Sequence, residues 1–142
     1  MRMQKAFTLV EVLIVVIILG ILAAIVVPQF SNASSNAQLT ALTQNLQTIR
    51  SQIQLYKAQH SDTWPASATF VNQMTLVSKS DGTTAALGTS GYPYGPYMQA
   101  IPNNPYTSAN TIGSGAAGTS DWYYDATTGT FRANDAAGHT GY

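Results

Sequence analysis

Glu11 is the single ionisable side chain inside an apolar run, FTLVEVLIVVIILGILAAIVV, that covers residues 7–27. In such a setting a carboxylate can accept hydrogen bonds or pair with a cation, because an unpaired charge in hydrocarbon costs on the order of 3 kcal/mol or more. An acid near the end of a membrane helix can instead reach outward to the headgroups. Composition alone leaves both roles open. No other set of residues offers reactive chemistry. His60 and His139 have neither a paired metal-ligand spacing nor a nucleophile motif around them, and are expected to be solvated. No serine sits in a nucleophile elbow. The segment Gly113-Ser114-Gly115-Ala116-Ala117-Gly118 lacks the Lys-Ser/Thr ending of a phosphate loop. The chain has no cysteine, which excludes thiol nucleophiles, disulfides and thiolate metal sites. These absences argue against an enzyme.

The elements that must position Glu11 begin with the apolar run itself. About 20 apolar residues span the roughly 30 Å hydrocarbon core as a helix, the conformation in which a single segment satisfies its own backbone there. Arg2 and Lys5 are the charges before the run, so the positive-inside bias keeps this end cytoplasmic and sends the rest across. From Gln29 to about Gln59 there is no Gly or Pro, and Leu39, Leu42, Leu46, Ile49, Ile53 and Tyr56 recur at helical spacing. The other face carries Gln44, Asn45, Gln47, Thr48, Ser51 and Gln52. Pro28 lacks an amide hydrogen and clashes with the preceding turn, so the two segments are expected to join as one helix kinked there. Its length from residue 7 to 58 is about 78 Å at 1.5 Å per residue. SNASSNA at 31–37 is weak in helix propensity.

After a stop at HSDTWP, 60–65, residues 68–77 read as a short helix followed by an extended piece, and 80–91 as turn and loop. GYPYGPYMQAIPNNPYTS, 91–108, contains four prolines that deny it a central strand, and its tyrosines can lie on the helix as a packed cover. Two strands, 121–124 and 130–133, flank a loop in which Asp125 suits the start and Gly129 a left-handed position near the end. The polar tail NDAAGHTGY is expected to be loosely ordered. The chain thus reads as α+β, with the second half of a long helix packed on a small antiparallel sheet with extended loops. At 142 residues it holds one small domain beyond the apolar segment. With four basic against six acidic side chains beyond residue 6, it offers no basic footprint for nucleic acid.

The leader MRMQKA, the Phe7-Thr8-Leu9 that follows it, the acid at position 11 and the apolar run together resemble the processing site of type IV prepilins and type II secretion pseudopilins. The resemblance implies a pilin-like fold divided into a leader (1–6), a transmembrane and filament-core half-helix (7–30) and an exported domain (31–142). It implies a cut by prepilin peptidase between Ala6 and Phe7 and N-methylation of Phe7. The family usually has Gly before the cut, where this chain has Ala6, also a small residue. In the assembled filament the Phe7 amine of one subunit would meet Glu11 of its neighbour, and Pro28 falls where many members have a helix-kinking proline. Looser likenesses lie in YKAQHSDTWP, in Gly95-Pro96-Tyr97 with the later Ile101-Pro102 and Asn104-Pro105, and in the aromatic strand with its Thr-Gly turn. Many Gram-negative type IV pilins carry a C-terminal disulfide loop, so the missing cysteines lean towards a pseudopilin. Major pseudopilins commonly bind calcium in a C-terminal loop, which makes Asp121, Asp125 and Asp135 the candidate ligands.

The implied function is a structural subunit of a homo-oligomeric helical filament, polymerised from the bacterial inner membrane into the periplasm or onto the cell surface. Its partners would be the assembly platform and minor pseudopilins, and its task type II secretion. The alternatives are a type IV pilin for adhesion, motility or DNA uptake, and a soluble binding module behind a signal anchor. For the last, Ser31-Asn32-Ala33 offers a small-x-Ala cleavage site.

Overall fold

The computed structural model describes residues 7–142. The leader and Ala6 lie outside the described residues. A single helix, α1, runs from Leu9 to Gln59. The chain divides into two compact units, Met1–Ala37 and Gln38–Tyr142, with the division inside α1.

In the first unit, Leu9–Val26 is long and apolar enough to cross a membrane, with a mean hydropathy of 3.2 and none of it buried. The helical pattern continues through Pro28 and through SNASSNA. Ser and Asn cost only a few tenths of a kcal/mol per residue in a helix already nucleated on both sides, so weak propensity does not break it.

In the second unit the predicted stripe is the core-facing side of α1, with Leu42, Leu46, Ile49, Ile53 and Tyr56 buried. Leu39 is half-buried at its beginning. Facing them are Phe70 and Met74 of α2 (Phe70–Thr75), Tyr97 and Ile101 of the proline-rich segment, and Trp122, Tyr124, Phe131 and Ala133 of the sheet. Each large apolar side chain so buried contributes about 1.5–3 kcal/mol against the entropy of ordering it. The outer side of α1 keeps Gln44, Gln47, Thr48, Ser51 and Gln54 exposed. Arg50, also on that side, donates from Nε to the Phe131 carbonyl at 2.8 Å and from an Nη to the Tyr142 carbonyl at 2.7 Å, tying helix to sheet and tail.

α1 stops where the sequence predicts. Ser61 turns left-handed at φ 53° and the Asp62 amide reaches back to the Lys57 carbonyl at 3.1 Å, the long bond of a Schellman motif. Lys57 then pairs with Asp62 at 3.1 Å and lies over the Trp64 ring at 4.1 Å.

Residues 68–77 form the expected short helix, α2, followed by β1 (Val77–Ser78), which pairs antiparallel with β2 (Thr84–Ala85). The main sheet has the order β3 (Ile112–Gly113), β4 (Trp122–Asp125), β5 (Thr130–Ala133). β4 and β5 are the predicted hairpin, with Tyr124 opposite Phe131 and Tyr123 opposite Arg132, whose guanidinium sits 4.0 Å over the Tyr123 ring. The sheet is mixed, not purely antiparallel, because the short β3 joins β4 in parallel. The tail is not loose either. Asn134 is fully buried, and a 3-10 turn at Ala137–His139 closes the chain against Tyr106.

Candidate functional site

Glu11 occupies the third position of α1, and Thr8 caps the helix. The Glu11 amide donates to Thr8 Oγ1 at 3.3 Å, while the Thr8 amide at 2.8 Å and its hydroxyl at 2.7 Å both donate to Glu11 Oε2. This is a capping box, in which cap and acid satisfy each other's orphan donors. It gives Glu11 a partner within its own chain, one that does not depend on any new amino terminus. The signal is legible in the sequence as Thr-x-x-Glu, Thr8 to Glu11, before an apolar run. A carboxylate has about four acceptor positions, so two Thr8 donors do not saturate it. Phe7, 85% exposed, and Glu11 line one recess with Val12 and Val15.

The three aspartates proposed for calcium do not converge. Asp121 precedes β4 and Asp125 ends it, about 13 Å apart at strand rise. Asp125 closes the hairpin loop, accepting from the Thr127 amide at 2.8 Å and the Thr128 hydroxyl at 3.0 Å, bonds that hold its carboxyl below the usual value. Asp121 Oδ2 accepts from the Thr111 amide at 2.7 Å and hydroxyl at 2.6 Å. Asp135 accepts from Asn104 Nδ2 at 2.8 Å and lies 2.6 Å from His139 Nδ1. Among the described residues no group of three or more His, Cys, Asp or Glu is arranged to hold a metal ion. Each of the three carboxylates accepts hydrogen bonds from protein donors.

Burial pushes the Asp121 carboxyl up, but hydrogen bonds from Thr107 and Thr111 outweigh it and hold the group below its ordinary value of 3.8. A carboxyl lowered by folding contributes stability that is complete above the unfolded value and fades as pH falls through the folded one. Asp121→Asn is accordingly expected to be less stable than wild type at neutral pH, yet to lose less between about pH 5 and pH 2. Denaturant melts across that range measure it, and parallel losses in the two proteins would remove Asp121 from the acid response.

Both histidines differ from expectation. His60, 1% exposed, continues the core stripe one step beyond Tyr56 and stacks on that ring at 3.7 Å. Its nitrogens meet the Tyr56 carbonyl at 2.8 Å and Ser78 Oγ at 3.0 Å, so its role is that of a satisfied core residue. His139 is held by Asp135 and lies 4.2 Å from the Tyr106 ring.

Residues 1–27 match the prokaryotic N-terminal methylation motif. The type II secretion system core protein G of Klebsiella pneumoniae is 31% identical over 108 residues, covering 76% of this chain and 73% of that protein. The protein of the same name from Pseudomonas aeruginosa is 43% identical over 56 residues, 39% of each chain. A fimbrial protein of P. aeruginosa is 42% identical over 50 residues, 35% of this chain and 32% of that protein. The match to the two Pseudomonas proteins thus spans only 39% and 32% of their lengths. No solved structure matches the chain.

Proposed function

Because the chain belongs to the type II secretion core protein G family of pilin-like proteins, we propose that it is a structural subunit of the pseudopilus, the filament that serves type II secretion. The observation that carries this reading is a capped acid at the start of an apolar helix, directly after a methylation-type leader. Prepilin peptidase cuts between Ala6 and Phe7 and methylates Phe7. The subunit waits in the inner membrane with its amino terminus cytoplasmic, and residues 31–142 are exported. An assembly platform and minor pseudopilins then take it into the filament, where Glu11 receives the Phe7 amine of a neighbour and Pro28 bends the helix to fit. This role is structural and calls on no catalytic residue.

Type IV pilin is the second reading, supported by the fimbrial relatives. The secretion reading has the longer support. A match of 108 residues must reach past the end of α1 at Gln59 into the exported domain, whereas one of 50 need not.

The capping box makes the test selective. Gln serves as well as Glu at the third helical position of a capping box, so Glu11→Gln keeps the cap and removes the charge. Thr8→Val removes the cap and keeps the charge. If the charge docks the neighbour's amine, Glu11→Gln is expected to lower filament yield about tenfold or more, the equivalent of about 1.4 kcal/mol, with Phe7 still processed and methylated by mass spectrometry. Wild-type yield from Glu11→Gln, with failure confined to Thr8→Val, would reduce Glu11 to a helix cap.

A further inference from the structure

We infer that the segment after β5 is fastened by a buried side-chain network centred on Asn104 and closed by His139, and that this network takes the place of a divalent cation in the fold of this chain. An ion in such a loop does two things. It neutralises carboxylates, and it ties together oxygens from segments distant in sequence. Here protein donors do both.

Asn104 is fully buried, and every polar group it has is used. Its Nδ2 donates to the Asp121 carbonyl at 3.1 Å and to Asp135 Oδ1 at 2.8 Å, and its Oδ1 accepts from the Tyr106 amide at 2.9 Å. Its amide donates to the Ala109 carbonyl at 2.7 Å, and its own carbonyl accepts from the Ser108 amide at 2.8 Å. One carboxamide thus joins the proline-rich segment to the start of β4 and to the tail. Asn134, also fully buried, donates from Nδ2 to the Ala116 carbonyl at 3.1 Å and to Ser120 Oγ at 2.9 Å, while its backbone amide reaches the Asp121 carbonyl at 3.0 Å.

The carboxylates are answered in turn. Asp121 has the two Thr111 donors. The Asp135 side chain, 4% exposed, has Asn104 on one oxygen and His139 on the other. An ionised carboxylate only accepts, so in this pair Nδ1 of His139 carries the proton. Among the described residues no buried side-chain nitrogen or oxygen lacks a partner.

The inference concerns the exported domain alone and stands apart from the filament reading. It is tested on the full chain in detergent micelles, by thermal unfolding followed in the near-UV circular dichroism of its buried aromatics. A site with a dissociation constant of about 0.1 mM would raise the melting temperature by about 10 °C in about 5 mM calcium. The expected result is the same melting temperature in calcium and in chelator. His139→Ala is expected to melt about 5 °C lower in both, with faster hydrogen exchange at the amides of 134–142. A rise of several degrees with calcium in wild type overturns the inference, and so does a His139→Ala chain with wild-type melting and exchange. The wild-type comparison decides the matter even where a variant fails to fold.

Discussion

Gly129→Ala is expected to destabilise the second unit, Gln38–Tyr142, by about 3 kcal/mol. Two effects add. Gly129 sits at φ 71°, a conformation costing an L-residue about 1–2 kcal/mol. A Cβ there would also lie 2.5 Å from Cε3 of Trp64 and 2.6 Å from its Cδ2 and Cζ3. The indole cannot simply retreat, because Lys57 covers it at 4.1 Å while pairing with Asp62. Overpacking of this kind typically costs about 1–3 kcal/mol. Urea unfolding of the single variant and of Gly129→Ala combined with Trp64→Ala separates the terms. Removing the ring leaves the backbone penalty and relieves the clash, so the Gly129 substitution should cost less in the Trp64→Ala background. An equal cost in both would show that Trp64 yields freely.

Trp122→Ala is expected to cost about 4 kcal/mol, a large part of the roughly 5–15 kcal/mol that holds a domain of this size. Trp122 is fully buried, lies 5.6 Å from the Phe131 ring and donates from Nε1 to the Pro102 carbonyl at 3.0 Å. It therefore joins the hairpin to the proline-rich segment by packing and by a hydrogen bond. Trp122→Phe keeps most of the packing but strands the carbonyl, and is expected to cost about 2 kcal/mol. Midpoints of urea unfolding measure both. If the two variants unfolded together, the hydrogen bond and not the packing would dominate at this position.

What could be read from the sequence followed local periodicity. The α1 stripe was legible because burial repeats every three or four residues, and the same rule extended by one step reaches His60. The hairpin was legible because Asp125 and Gly129 are both turn chemistry and turn spacing. β3 was not, since two residues, Ile112 and Gly113, carry no pattern and are placed by pairing with a strand ten residues later. The tail misled for a related reason. Asn134, Asp135 and His139 look solvated by composition, but a buried polar group is decided by its partners. Asn104 lies 17 residues from Asp121 and 31 from Asp135, so no window along the chain reveals the network. At the other end, Thr8 and Glu11 spelled out their capping box within four residues.

The outer face of α1 in the second unit has a kinetic consequence. Its exposed residues from Gln44 to Gln54 are uncharged apart from Arg50, whose guanidinium is bonded to two carbonyls. Oriented encounter between copies through this face cannot draw on electrostatic steering, which lifts association rates far above the unassisted 10⁵–10⁶ M⁻¹s⁻¹, or about that order, and decays within about 8 Å at physiological salt. Orientation must then come from confinement. On the filament reading proposed above, subunits held in one bilayer by their apolar helices would meet in two dimensions, and their joining rate would vary little with ionic strength.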